Sequence, residues 1–411
     1  MDCRFPLAVA ARKLVMLFAA AGVLLAAAPS MAQDDGADAL KALRSKKSSL
    51  RRDIGTSIWR EGRFNSNDQR AKLQEYIGVS LQMMQVPAYQ SEVAKERLTI
   101  VRELRTLGNA ASRDAFNVAV QYLLAELPKI INEDKQAMQM RFNAMLLLGD
   151  LNQQEAPPTG LTPATPLPAA LNLLLTAYQN DQLPIALKVG AMIGLQRHAQ
   201  LGIADKGASD ALRVAMLKTY AEAQPPANVS ADAHNWIKIR AVEILGALGT
   251  TGSTPENAEV VAAILSIIND SNADVMLRAE SARALQSMNF NVPANLNTPL
   301  IARSLAQLVV DTLADAPDRQ RIKHVLHCAR LGLTGPDPDP RGRTTTNPAS
   351  VSKVGSPEAK QMMASLAREF EVLNKQIDDT NDSELPNITG DKLSAWLQQN
   401  PLDNQRLTAS N

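Results

Sequence analysis

Cysteine is nearly absent from this 411-residue chain, which has only Cys3 and Cys328. Cys3 falls in an N-terminal leader, so Cys328 has no second thiol in the remaining chain and no intramolecular disulfide can brace the fold. Aromatic residues make up only 4% of the sequence, so a core must be built mainly from aliphatic side chains. Alternating β-branched runs are missing, which argues against a sheet protein. Lys and Arg number 43 against 42 Asp and Glu, a formal charge of +1. No field from the whole molecule therefore selects nucleic acid, and no nucleic-acid partner is expected. Also missing are a Gly-x-Ser-x-Gly elbow, a Ser-x-x-Lys box with its companions, a glycine-rich phosphate loop, and CxxC or HExxH metal motifs. The expectation is a non-enzyme with no cofactor.

What is present begins with an address. Arg4, Arg12 and Lys13 precede an uncharged apolar run from Leu14 to Ala28, and Ser30 and Ala32 stand at the −3 and −1 positions of a cleavage site. The run is 15 residues long, short of the roughly 18 needed to span a bilayer. Residues 1–32 read as a signal peptide, and no later stretch reaches spanning length. The expected location is the periplasm or the extracellular medium of a bacterium, with no transmembrane span after cleavage.

Beyond the leader, apolar residues recur at three- and four-residue spacing, the period of amphipathic helices. Residues 33–108 read as an N-terminal helical region, with helices near 37–54, from about Asn67, and near 91–107. Gly55 and Pro87 act as breaks. From 109 to 334 a theme recurs. Met140–Gly149, Leu187–Leu195, Ile237–Gly246, Leu277–Leu285 and Ile322–Ala329 each carry a cation near the start and small residues further on. Ala144, Ala191, Ala241 and Ser281 lie 47, 50 and 40 residues apart, and a more apolar helix precedes each segment. Two helices per unit of this length is the period of helical repeat arrays, in which small residues let neighbouring helices share one apolar layer.

On these segments the chain resembles the HEAT-repeat, armadillo-like α-solenoid family, and looks like an exported bacterial member of it. The resemblance implies an all-α fold: a right-handed α-solenoid of about five helix pairs with extra helices at both ends. It also implies pairing between an acid in the turn and a cation in the second helix. Asp134 with Arg141 and Asp181 with Lys188 fit that pattern. Asp232 with Lys238, Asp270 or Asp274 with Arg278, and Asp318 with Lys323 fit it more loosely. Residues 335–357, rich in Pro, Gly and Thr, read as a linker. Residues 358–379 read as a capping helix, and 380–411 as a tail with one short helix carrying Trp396.

Three sets of residues are candidates for function. Arg141, Lys188, Lys238, Arg240, Arg278 and Arg283 on the second helices are placed to donate hydrogen bonds to a protein or peptide partner, or else to serve the ladder between repeats. Between Lys41 and Lys72 ten cations face three acids, with Trp59 and Phe64 interleaved. Arg51, Arg52, Arg60 and Arg63 in that block, with Trp59, would suit an anionic surface or polymer in the envelope; the alternative is a solvated helix whose charges are balanced by acids elsewhere. His324, His327 and Cys328 fall at i, i+3 and i+4 on one helical face, a donor set for zinc or copper that lacks a fourth ligand. A metal-dependent enzyme built on them is a distant third reading. The first is a non-catalytic scaffold for a protein or peptide in the cell envelope.

Overall fold

The computed structural model describes residues 32–407 apart from 161, 227–228, 255–256, 292–295, 316–317, 338–349, 382–387 and 402–406. The predicted leader, except for its last position, and much of the predicted linker lie outside the described residues. Among the described residues are sixteen α-helices and one two-stranded antiparallel pair.

Helices α1 (Ala32–Ile54) and α2 (Thr56–Glu61) meet at Gly55, whose φ of 79° breaks the run. Then α3 (Asn67–Gln85) starts on the Ser66 cap, which accepts the Gln69 amide. A 3-10 turn over Pro87–Glu92 leads into α4 (Val93–Gly108). Next come α5 (Asp114–Asn132) and α6 (Met138–Asp150), α7 (Pro168–Gln179) and α8 (Ile185–Leu201), and α9 (Lys206–Ala221) and α10 (Ala231–Leu248). They are followed by α11 (Glu259–Ile268) and α12 (Val275–Ala284), and by α13 (Thr298–Asp315) and α14 (Arg319–Thr334). The chain closes with α15 (Pro357–Asp379) and α16 (Asp391–Gln399). The ends follow local chemistry: Asp205, Ser230, Asp274, Asp318 and Ser356 all cap the helices they precede.

The packing is regular. Each odd helix from α3 to α13 packs on the even helix that follows it, and each helix also touches the one two places further along. The succession of stacked pairs starts one pair earlier than the repeated sequence theme, but α3 and α4 pack less on each other than later pairs do, and α3 meets α5 as broadly as α4 meets α6. From α5 onward the even, second helices meet one another broadly, whereas the odd, first helices touch only narrowly. Small residues allow this. A Cβ built on Gly149 of α6 would lie 2.7 Å from the Cα of Gly194 in α8, and one on Gly246 of α10 would lie 2.9 Å from the Ala284 carbonyl in α12. Ala144, Ala191, Ala241 and Ser281, the recurring small positions of the sequence, are all fully buried.

Between α6 and α7 the chain does not turn directly. Strands Asn152–Gln154 and Thr165–Pro166 form the antiparallel pair, which the absence of alternating β-branched residues did not lead one to expect. Arg197 of α8 holds this element, donating to the Gly149 carbonyl at 3.0 Å and to Asn152 Oδ1 at 2.5 Å. At the other end, α15 packs on α13 and α14, and α16 seats Trp396 so that its Nε1 donates to Ser365 Oγ at 2.8 Å. No helix among the described residues is long and apolar enough to cross a membrane.

Candidate functional site

The outward strip of the second helices divides along its length. In α6, Met138, Phe142 and Leu146 fall at four-residue spacing, one line along a helix, and none is fully buried. In α8 the corresponding line is Ile185, Val189 and Ile193, with Ile185 41% and Ile193 37% exposed. Trp236 and Ile239 continue it on α10, and Met276 on α12. Met138, Ile185, Ile193 and Met276 are between 37% and 41% exposed, whereas Phe142, Val189, Trp236 and Ile239 pack partly against the core, so the line offers a series of apolar edges along successive second helices.

Further along α8, α10 and α12, and on into α14, the strip becomes polar, and its groups bond across from one helix to the next. Gln196 of α8 donates to Glu243 Oε2 of α10 at 3.0 Å, and Arg240 reaches the same oxygen at 2.6 Å. Arg283 of α12 donates to Glu243 Oε1 at 2.7 Å and also bonds Glu280. Glu280 in turn faces His324 Nε2 of α14 at 3.0 Å, and Cys328 Sγ lies 3.5 Å from that nitrogen. Burial opposes the charge on Glu280, but His324 and Arg283 overcome it and hold its carboxyl below the usual range. Glu243 and Glu280 were not singled out in the sequence. Their signal is the i, i+3 spacing to a cation on the same helix: Arg240 before Glu243, and Arg283 after Glu280.

The nominated cations separate by burial. Arg141, Lys238 and Arg278 point inward rather than towards a partner. Arg141 Nε donates to the Ile131 carbonyl at 2.8 Å, and Arg278 Nε makes the equivalent bond to the Ile268 carbonyl at 2.8 Å. Each thus satisfies an orphan carbonyl at the end of the preceding first helix. Lys238 does the same for the Glu222 carbonyl at 3.0 Å, and burial lowers its pKa. The physical reason is the tight turn between paired helices, which brings the second helix's first turns under the last turn of the first. Of the expected acid–cation pairs, Asp134 with Arg141 (2.9 Å) and Asp181 with Lys188 (3.1 Å) are present. Arg278 pairs instead with Asp311 at 2.6 Å, and Lys323 with Asp378, because Asp274 and Asp318 are occupied capping their helices. Arg240 and Arg283 belong to the polar line, with Arg240 also stacked 4.9 Å above the Trp236 ring. Lys188 remains partly exposed.

The basic block is largely neutralised within the fold. Arg44 pairs with Glu92, Lys46 with Glu75, Lys47 with Glu96 and Arg51 with Glu103, acids contributed by α3, α4 and the turn between them. Arg51 also lies 5.0 Å over the Trp59 ring and donates to Tyr76 Oη at 3.0 Å, while Trp59 meets Tyr76 edge-on at 5.7 Å. Arg60 holds its neighbour Glu61, and Arg52 and Arg63 are exposed. Beside the block, a cleft of about 720 Å³ opens between the 64–67 segment, α3 and α5. Asn65, Asn67, Gln74, Asn117, Gln121 and Arg70 are among its lining residues. Gly62, at φ 71°, makes this junction, since a Cβ there would collide with the Ser112 carbonyl.

Of the predicted metal donors, His324 and Cys328 come together but His327 does not. One residue before Cys328, it turns away into a second cleft beside Arg330 and Phe370. The third donor in reach is Glu280, from the neighbouring helix. As a nucleophile–base pair the cluster is poorly arranged. Cys328 and Glu280 both face the same ring nitrogen of His324, whereas a relay uses both nitrogens. Burial, reinforced by Glu280, also pushes the Cys328 thiol well above its ordinary value. No protein-family model matches the chain, and no curated protein does either.

Proposed function

We propose that the chain is an exported, non-catalytic binding and scaffolding protein: a right-handed α-solenoid of HEAT type that recognises a protein or peptide partner in the bacterial cell envelope. Helix pairs that contact only their neighbours are the construction of such arrays. Second helices in broad contact, against first helices in narrow contact, favour a row that curves with the second helices on the inside. The observation that carries the binding reading is the apolar band on α6 and α8, flanked by the polar line from Gln196 to His324. An apolar centre beside fixed donors and acceptors matches the anatomy of protein interfaces, where a few well-packed apolar anchors carry most of the energy.

The alternative, a protein that binds an anionic polymer or membrane surface through the 41–72 block, is weakened by the acids that hold Arg44, Lys46, Lys47 and Arg51. The two readings separate in one experiment. The mature chain is cross-linked in an envelope fraction, alongside an Ile185→Asp/Ile193→Asp variant and an Arg52→Glu/Arg63→Glu variant. A defined partner should be retained by the second variant, lost by the first, and change little with ionic strength. Capture that survives the aspartates but collapses in salt would assign the binding to the basic block instead.

A further inference from the structure

We propose that Glu280, His324 and Cys328 form a three-ligand site for a borderline-soft divalent cation, with zinc the best match. The three come from two stacked second helices. His324 and Cys328, four residues apart on α14, share a face, and Glu280 projects from α12 opposite them. Their donor atoms all lie within 4.8 Å of one another, with Glu280 Oε1 3.0 Å and Cys328 Sγ 3.5 Å from His324 Nε2. Tetrahedral zinc with ordinary bond lengths spaces its ligands by about 3.3–3.8 Å, so small side-chain adjustments suffice to enclose an ion.

The donor set is selective. A thiolate with an imidazole disfavours calcium and magnesium and favours zinc or copper. The outer contacts are those a metal site needs: Arg283 holds the second oxygen of Glu280 and is itself anchored on Glu243, which fixes the carboxylate's orientation. Access is one-sided. The His324 side chain is 24% exposed, while Cys328 is fully buried beneath it, leaving the outer position of the ion to water. A thiolate and a carboxylate together match the two charges of the cation, and exchange of the thiol proton for the ion raises the local charge by one. Sulfur coordinates as the thiolate, so binding through Cys328 is accompanied by release of the thiol proton.

The test uses the full mature chain, purified without metal and titrated with zinc against a chromophoric chelator, with cobalt as a spectroscopic probe. The expected result is one ion per chain, a thiolate-to-cobalt charge-transfer band in the near ultraviolet, and binding heats that vary with the buffer's ionisation enthalpy. Glu280→Gln and Cys328→Ala should each weaken zinc by more than the roughly 10–100-fold lost on removing an outer contact. His327→Ala should bind as the unsubstituted chain does. Absence of stoichiometric zinc, absence of the cobalt band, or affinity that depends on His327 rather than Glu280 would overturn the proposal. Should Cys328→Ala fail to fold, the cobalt spectrum of the unsubstituted chain decides the question alone.

Discussion

Gly149 and Gly194 face one another across the contact between α6 and α8, so close that a methyl group on either would press on the backbone of the other helix. Backbone cannot swing aside as a flexible side chain can. Gly149→Ala should therefore cost about 1–3 kcal/mol, despite alanine's better helix propensity. Ala241→Phe, at a fully buried position of α10, should cost at least as much. Denaturant midpoints of the three proteins measure this. A Gly149→Ala protein as stable as its parent would mean that the two helices are not pressed together.

Arg141 and Arg278 are expected to be structural. Replacing Arg278 with Met keeps the apolar stem but abandons the Ile268 carbonyl and Asp311. An orphaned buried acceptor costs about 1–3 kcal/mol. Arg278→Met should thus lower the denaturation midpoint measurably. Unchanged stability together with loss of a captured partner would return this residue to the binding face.

His198 supplies a pH dependence. Burial, aided by Arg197, pushes its pKa down to about 4, against about 6.5 in an unfolded chain. Between those values the unfolded state binds more protons than the folded state, so stability is complete above about pH 6.5 and is lost as pH falls towards 4. The loss is at most about 3 kcal/mol. A His198→Phe variant should show a flatter stability profile over that window. Parallel profiles for the two proteins would refute the assignment.

Within the basic block, two adjacent arginines should behave differently. Arg51→Ala forfeits Glu103, Tyr76 and the Trp59 face together, and should lower stability by about 1 kcal/mol. Arg52→Ala, at an exposed position, should stay within about 0.5 kcal/mol of the parent. Thermal melts of the pair test whether the block serves the fold or stands free.

Much of the helical framework is legible in the sequence. A more apolar helix precedes each recurring segment as expected, α7 (Pro168–Gln179) before α8 among them, and Gly55, Pro87 and the recurring alanines mark breaks and close contacts through their own local chemistry. The cross-helix polar line was not legible. Glu243 and Glu280 look like ordinary exposed helix residues until stacking brings them against Arg283 and His324, some 40 residues away in the chain. The jobs of Asp274 and Asp318 were misread for a related reason. A carboxylate in a turn can pair with a cation or cap a helix, and the backbone amides two and three residues on are nearer. His327 failed as a ligand because i+3 and i+4 positions diverge enough to face different neighbours, here α15 rather than α12.

Arg303 of α13 donates to the carbonyls of Leu397 and Asn400, and the Asn297 amide donates to the Leu407 carbonyl at 2.8 Å. These bonds close a loop of about a hundred residues that contains α14 and α15, in a molecule whose other ties are mostly between near neighbours in sequence. Under tension the earlier pairs would peel away one after another, each yielding at its own small force. The clasp makes the final helices a single mechanical unit: α14 cannot be drawn out until α16 lets go.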